Sequence, residues 1–190
     1  QIDHGSLALI RKGIVGTCVI LLALLIGVGE YSAALSDWRL QQLATSDTLT
    51  GLPNRLALRQ AFARELALRR RSWQPMSFAM ADLDFFKRVN DEWGHDAGDL
   101  ALRHVSNLLC GQARAGEMVA RMGGEEFGII LLADPPSALS AVQRMCRAVE
   151  HAPFHYNGQV RTMTVSVGLT HMSPTDTEQA ALRRADAALY

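Results

Sequence analysis

Cysteine is scarce in this sequence. The three cysteines, Cys18, Cys110 and Cys146, lie far apart along the chain, and each stands in an apolar stretch. They form neither the closely spaced pairs that bind zinc nor the dense pattern of a disulfide framework. The sequence therefore excludes a small disulfide-stapled fold, and its cysteine usage suits a reducing compartment.

An excess of charge of either sign is also absent. Lysine and arginine together number 19, as do aspartate and glutamate, so the formal net charge is +0. The overall charge thus indicates no polyanionic partner, and no nucleic-acid polymer is expected. Lysine itself is rare, since Lys12 and Lys87 are the only two in a chain rich in arginine. Lys87 reflects either chance usage or a place that needs a compact ammonium, such as one that contacts a phosphate.

Only one long apolar run is present, at residues 13–29, which read GIVGTCVILLALLIGVG. A membrane-spanning helix needs about 20 apolar residues, with roughly 17 as the lower limit, so the run predicts a transmembrane helix. A buried core helix and the apolar region of a signal peptide are the alternatives, although no A-x-A cleavage pattern follows. Because the chain begins with Gln1 rather than Met, we expect it to be a fragment of a longer protein.

The sequence divides into three parts. Residues 1–30 contain the predicted membrane helix with its short flanks, and residues 31–46 have a rough apolar stripe that favours a linker or signalling helix. In residues 47–190, helical and strand patterns alternate, which predicts an α/β sandwich of the α+β type, with a mostly antiparallel sheet flanked by helices. The predicted elements are helices over 56–70 (capped by Asn54), 96–110, 135–152 and 177–190, strands over 76–84 and 161–170, and a hairpin over 117–132 that turns at Gly123 and Gly124.

Acidic residues stand at two of the predicted strand ends. Asp82 and Asp84 close the strand over 76–84, and they share a face because alternate residues of a strand point the same way. Glu125 and Glu126 follow the glycines of the hairpin, where glycine permits the positive φ angles of a tight turn. If the strand and the hairpin are neighbours, these carboxylates repel one another unless a cation lies among them. Oxygen ligands favour Mg²⁺, and solvated carboxylates without a function are the alternative.

Five segments occur in order along the chain. They are DTLTGLPNR, DLDFFKRVNDEWGHDAGD, RMGGEEF, TVSVGLT and ADAALY. Together they resemble, over about residues 45–190, the GGDEF family of bacterial diguanylate cyclases, in a GGEEF variant. The resemblance implies a fold like the palm of nucleotide polymerases and the adenylyl cyclase catalytic domain. It also implies a reaction in which two GTP become cyclic di-GMP and two pyrophosphates, with Mg²⁺ or Mn²⁺ assisting the attack of each 3′-hydroxyl on an α-phosphate.

The resemblance further implies roles for individual residues. Asp82, Glu125 and the carbonyl of Leu83 match metal ligands, and Glu126 would assist the metals. Glu125 would also help to deprotonate the 3′-hydroxyl. A regular ladder would point Glu125 and Glu126 to opposite faces, so both can serve only where the turn distorts it. The implied substrate contacts are Asn90 and Asp99 to guanine, the amides around Phe85 and Phe86 with the Lys87 side chain to the β- and γ-phosphates, and Gly123 and Gly124 along the nucleotide.

Some matching positions have plainer interpretations. Asn90 also suits the end of a helix, and Asp99 suits an exposed helix position. Asp84, Gly94 and His95 fit the motif, and we interpret them as structural support.

The sequence departs from the family's pattern in two places. An inhibitory product site, R-x-x-D, is replaced by RAGE, from Arg114 to Glu117. The longer glutamate would misplace a carboxylate meant for guanine, so we expect a degenerate site and weakened product inhibition. The chain also stops at Tyr190, whereas the family continues with a lysine and an arginine that reach the phosphates. The domain is therefore expected to be truncated at its C-terminus.

The implied mechanism has consequences for assembly. If each domain holds one GTP, two half-sites must face each other, so a homodimer is expected. GTP is cytoplasmic, which places the catalytic domain on the inner side of a bacterial plasma membrane. The alternative is a catalytically silent GGDEF domain that binds GTP or a partner protein as a regulatory module. The retained glycines and acids of the motif favour the enzyme.

Overall fold

The chain divides into two compact units, residues 1–44 and 45–190. In the first unit, residues 24–28 are helical with exposed side chains. No helix in the described part of the chain is long and apolar enough to cross a membrane. The predicted helices over 13–29 and 31–46 fall mostly outside the described residues and stay predictions. The computed structural model describes residues 24–28, 31, 44–72, 74–173 and 175–190.

The second unit alternates helices and strands, as the sequence predicts. Four strands form one sheet in the order β2–β3–β1–β6, in which every neighbouring pair is antiparallel, and β4 and β5 form a separate hairpin. The predicted antiparallel sheet flanked by helices is confirmed. The elements are α1 (Arg55–Ser72), β1 (Ser77–Leu83), α2 (Phe86–Trp93), α3 (His95–Gln112), β2 (Met118–Gly123), β3 (Glu126–Leu131), α4 (Pro135–Glu150), β4 (Phe154–Tyr156), β5 (Gln159–Arg161), β6 (Val165–His171) and α5 (Glu178–Leu189).

Strand β1 is buried on both faces of the sheet. Its residues Ala81 and Leu83 belong to one hydrophobic core, together with residues of α3 and α4. Phe78 and Met80 belong to a second core, together with residues of α1 and α5. Burial on both faces explains why the strand reads as a continuous apolar run. Asp82 follows Met80 by two residues, so it lies at the edge of the face that α1 and α5 cover.

Side-chain caps begin three of the helices. The carboxamide oxygen of Asn54 accepts hydrogen bonds from the backbone N–H groups of Leu56 (2.9 Å) and Ala57 (3.1 Å), which confirms the predicted cap of α1. Asp134 caps α4, where proline occupies the first positions, and Thr177 caps α5. These caps satisfy N–H groups that have no partner within their helix.

The predicted strand over 161–170 is wrong in its extent. Arg161 ends β5, and β6 begins only at Val165. Strand β5 pairs with β4, and a turn at Asn157 (φ 47°) and Gly158 (φ 77°) connects the two strands. An Asn-Gly pair favours this kind of two-residue turn, so the sequence contained a signal for the hairpin. The β4–β5 hairpin is absent from the sequence prediction.

Candidate active site

The first predicted acid lies at the end of the central strand. Asp82 of β1 pairs with Glu126 of β3 on one side and with Ser166 of β6 on the other. Residues that are directly opposite in an antiparallel pair have side chains on the same face, about 5 Å apart at Cβ. The structure therefore brings Asp82 and Glu126 together, as the sequence predicts for neighbouring elements.

The second glutamate reaches the same place through the turn. Gly123 (φ 144°) pairs with Glu126, and the ladder is irregular between Arg121 and Gly123. The turn therefore lies one residue later than predicted, at Gly124 (φ 55°) and Glu125. Because Glu125 is outside the ladder, the strand rule that separates adjacent side chains does not apply to it. Its carbonyl accepts a hydrogen bond from the N–H of Leu83 (3.3 Å), which places Glu125 beside the end of β1.

The carboxylates influence one another's ionisation. The pKa of Asp82 is raised from 3.8 to about 6, first by burial and then by the negative charges of Glu125, Glu126 and Asp84. A nearby cation would relieve this repulsion and hold the carboxylate ionised. The metal that the sequence predicts thus fits the electrostatics at this edge of the sheet.

The acids do not by themselves form a complete metal site. Among the residues that the structure describes, no group of three or more His, Cys, Asp or Glu side chains is arranged to hold a metal ion. Mg²⁺ commonly keeps several waters and binds through one or two carboxylates together with substrate phosphates. Asp82, Glu125 and the Leu83 carbonyl would fit such an open site, with the remaining ligands supplied by water and substrate.

A salt bridge that the sequence analysis missed fixes the turn of the β2–β3 hairpin. The guanidinium of Arg121 donates to the carbonyl oxygen of Gly124 from Nε (3.0 Å) and Nη2 (2.8 Å). Its Nη1 donates to both carboxylate oxygens of Asp47, at 3.0 and 3.1 Å. Burial raises the pKa of Asp47, but hydrogen bonds from Thr50 and Arg121 outweigh it and leave that pKa below its ordinary value. Arg121 thus joins the start of the domain to the turn that carries Glu125.

Hydroxyl groups at the start of β6 and just before it hold the loop between β1 and α2 in place. Asp84 accepts hydrogen bonds from the hydroxyls of Thr164 (2.6 Å) and Ser166 (2.7 Å), which agrees with a supporting role. Phe85 follows with a left-handed backbone (φ 57°) and a side chain that is 70% exposed. It provides no side-chain cap for α2, so the first N–H groups of that helix are open to an anion.

The other predicted phosphate contacts lie in the first turn of α2. Phe86 is buried, and Lys87 is exposed. The structure therefore places the Phe85 and Phe86 amides and the Lys87 side chain near one helix N-terminus. This arrangement suits phosphate binding.

The predicted guanine contacts lie on two packed helices. Asn90 is half-buried on α2, and Asp99 is exposed on α3. The carbonyl of Asn90 accepts from the N–H of Gly94 (2.9 Å), so its backbone ends α2 while its side chain stays available. That side chain lies against Gly98, the residue before Asp99. Gly94 (φ 84°) and His95 form the junction between the helices, which fits the structural role inferred for them.

A cavity adjoins the acids on the α1 and α5 side of the sheet. Its volume is about 220 Å³, and Glu126 forms part of its wall. The pKa of Tyr190 is raised, first by the charge of Asp82, so the end of α5 lies within electrostatic reach of the site. Apart from Glu126, the residues that line this cavity have no role in the sequence analysis. The remaining lining residues are Arg55, Met80, Met122, Leu182, Arg183 and Asp186.

Residues 114–117, which the sequence analysis predicts to be a degenerate product site, form a self-contained turn between α3 and β2. The carboxylate of Glu117 accepts from the N–H of Arg114 (2.8 Å), and the N–H of Glu117 donates to the carbonyl of Arg114 (3.0 Å). The Glu117 carboxylate is thus engaged by its own backbone.

Most of the chain is similar to one known family of proteins. The family described as "Diguanylate cyclase, GGDEF domain" matches residues 44–190. The chain is 38% identical over 164 residues to diguanylate cyclase DgcP of Pseudomonas aeruginosa, covering 84% of this chain and 24% of that protein. It is 36% identical over 171 residues to diguanylate cyclase DgcZ of Escherichia coli, covering 86% and 56%. The chain thus spans about a quarter of the first relative and just over half of the second.

A solved structure shows the same fold. It comprises the coiled coil and GGDEF domain of DgcB from Caulobacter crescentus in complex with c-di-GMP. Its TM-score against this chain is 0.76 at 27% sequence identity, and the match covers 88% of this chain and 92% of the other.

Proposed function

Because this chain belongs to the family of diguanylate cyclase GGDEF domains, we propose that its residues 44–190 condense two GTP into cyclic di-GMP and two pyrophosphates. The observation that carries the proposal is the convergence of Asp82 with Glu125 and Glu126 at one edge of the sheet. Crowded carboxylates at a strand end are costly without a cation, and nucleotidyl transfer from GTP needs one.

The acidic residues bind the cation and accept the proton of the attacking hydroxyl. Asp82, Glu125 and the Leu83 carbonyl hold Mg²⁺ or Mn²⁺, with assistance from Glu126. When bound, the ion neutralises charge on the reacting phosphates and lowers the pKa of the attacking hydroxyl. Glu125 accepts the proton of the 3′-hydroxyl, from a turn that Arg121 holds in place.

Other residues orient the nucleotide. The amides around Phe85 and Phe86, at the uncapped start of α2, and the Lys87 ammonium bind the β- and γ-phosphates. Asn90 and Asp99 bind the guanine edge, where a carboxylate accepts from N1–H and the exocyclic amine. Gly123 and Gly124 leave room beside the nucleotide, since each has open space where a Cβ would stand.

Assembly and location belong to the same proposal. Each domain presents one set of these residues, so the reaction takes place in a homodimer of facing half-sites. The apolar run at 13–29 anchors the protein in the plasma membrane of a bacterium, with the catalytic domain in the cytoplasm. Binding of product at Arg114 and Glu117 is weak because Glu117 is engaged by its own turn. A competition titration with cyclic di-GMP tests this last point, which tight binding at Arg114 would contradict.

Pyrophosphate release from GTP in the presence of Mg²⁺ tests the proposed activity. Glu125→Ala should lower the turnover by about 100-fold or more, because it removes a metal ligand and the proton acceptor. Glu150→Gln, which removes an exposed carboxylate at the end of α4, is the control and should keep wild-type turnover. Wild-type protein that binds GTP but releases no pyrophosphate as a dimer would instead support the regulatory module.

A further inference from the structure

Gly98 lies where helices α2 and α3 touch. It is buried on α3, and it faces the side chain of Asn90 on α2. A Cβ atom at Gly98 would overlap the carboxamide oxygen of Asn90 and would lie 3.0 Å from its Cγ. The same atom would lie 3.2 Å from Cζ of Phe86, so no space is left on that side either. The bare backbone of α3 is therefore the surface on which the Asn90 carboxamide rests.

The backbone of Asn90 leaves its side chain little freedom to retreat. Its carbonyl accepts the N–H of Gly94 (2.9 Å), and Gly94 joins α2 to α3 with a positive φ of 84°. The carboxamide can therefore respond to a side chain at Gly98 only by rotating about its own bonds. Rotation would change the direction of its hydrogen-bonding groups, which are the part of Asn90 that a base would contact.

We propose that Gly98 is a positioning residue for guanine recognition, which it controls by setting the orientation of the Asn90 carboxamide. This inference rests on the proposed function, in which Asn90 and its neighbour across the helix joint, Asp99, bind the base. Gly98 itself touches no substrate. Its contribution is the absence of a side chain at the one place where a methyl group would turn Asn90 away.

The substitution Gly98→Ala tests the proposal in the full chain. It should raise the KM for GTP, and the dissociation constant of a non-hydrolysable GTP analogue, by about tenfold. The kcat should change little, because the acids at the sheet edge are not disturbed. Gly111→Ala is the matched control, since Gly111 lies on the same helix with open space around a Cβ. That control should bind GTP as the wild type does.

A double substitution distinguishes positioning from a general structural effect. In an Asn90→Ala background, the methyl group has no carboxamide to displace, so adding Gly98→Ala should not weaken GTP binding further. If Gly98→Ala weakens GTP binding equally in the wild-type and the Asn90→Ala backgrounds, the proposal is overturned. It is also overturned if Gly98→Ala alone binds GTP as tightly as the wild type does. Failure of Gly98→Ala to fold, measured by thermal unfolding, would also overturn it, because rotation of Asn90 should relieve the overlap.

The outcomes separate this inference from the function on which it rests. If Asn90→Ala binds GTP as tightly as the wild type does, the guanine role of Asn90 is refuted, and the role of Gly98 is refuted with it. Weakened binding by Asn90→Ala together with unchanged binding by Gly98→Ala would refute the role of Gly98 alone. The wild-type protein could release no pyrophosphate while it and the variants show the expected GTP affinities. That result would refute the cyclase activity and leave the role of Gly98 supported.

Discussion

Asp82 carries a charge that the fold disfavours in the absence of a cation. Its pKa in the folded protein is about 6, against 3.8 for an ordinary aspartate, because of burial and then of Glu125, Glu126 and Asp84. The unfolded chain therefore loses this proton more readily than the folded one. The contribution of Asp82 to stability is full below pH 4 and is lost as the pH rises through about 6. Above that pH, its ionised carboxylate destabilises the folded state.

Replacing this carboxylate should stabilise the metal-free protein. At pH 7.5 in EDTA, Asp82→Asn should increase the free energy of unfolding by about 1 to 2 kcal/mol, after allowance for partial solvent screening. At pH 4, where the folded wild type has Asp82 protonated, the gain should be small. Urea denaturation at the two pH values measures the difference.

Two comparisons complete this experiment. Asp91→Asn removes an exposed carboxylate of α2 and should leave stability nearly unchanged at both pH values. Excess Mg²⁺ should stabilise the wild type but not Asp82→Asn, because binding to the folded state alone shifts the equilibrium. A loss of stability in Asp82→Asn at pH 7.5 would show that its charge is already compensated within the protein.

Some residues of the candidate site could be predicted from the sequence, and others could not. Asp82 and Glu125 could be predicted because acids at the ends of apolar strands are conspicuous, and the strand period fixes the face of Asp82. The contact between Arg121 and Asp47 could not, because it joins residues 74 positions apart. Arg121 and Asp47 each begin one of the family-like segments, RMGGEEF and DTLTGLPNR, but neither segment shows that the two residues pair. The close fit of Gly98 against Asn90 likewise depends on how two helices cross.

At the level of elements, the backbone of helix α5 packs directly against Gly168 of the sheet. Met80 of β1 lies between Gly168 of β6 and Gly128 of β3 in the ladders. A Cβ at Gly168 would overlap the carbonyl oxygen of Ala185 and lie 2.6 Å from the N–H nitrogen of Leu189. Both are backbone atoms of α5 or its end, and they cannot move without the helix. A Cβ at Gly128 would meet only the side-chain ends of Leu58 and Met122.

Gly168→Ala should therefore be much more harmful than Gly128→Ala. We expect Gly168→Ala to lower the free energy of unfolding by about 2 to 4 kcal/mol, because α5 must shift away from β6. Gly128→Ala is the matched control, since both are glycines in neighbouring strands of one sheet. Its cost should be below about 1.5 kcal/mol because flexible side chains can adjust. Equal effects in urea denaturation would mean that α5 is not held by this close contact.

The elements themselves could largely be predicted from periodicity. Helices α1 and α3 begin and end within two residues of the predicted bounds, because their apolar faces are regular. The strand over 161–170 was placed wrongly because the alternating pattern continues through Met163, which is buried without belonging to a ladder. The one-residue shift of the turn at Gly124 arises from the ladder irregularity, which depends on pairing between strands.

At the scale of the whole molecule, the site found in one chain is half of what the proposed reaction needs. In that reaction two GTP react with each other, and each domain presents one set of acids, one helix N-terminus and one pair of residues proposed to bind the base. The proposal therefore requires two chains to meet face to face, and it predicts that activity depends on their encounter. Cyclic di-GMP formed per unit of protein should rise with protein concentration until the dimer predominates.

Mixing with an inactive chain tests this dependence. At a fixed wild-type concentration and saturating GTP, excess Glu125→Ala should suppress cyclic di-GMP formation, because most wild-type chains are then paired with a defective half-site. A mixed dimer can form at most one of the two phosphodiester bonds, so a linear dinucleotide should accumulate instead. An equal mass of serum albumin controls for crowding. Activity could instead stay proportional to the wild-type concentration and be unaffected by Glu125→Ala. In that case one chain binds both nucleotides, and the hypothesis of facing half-sites is wrong.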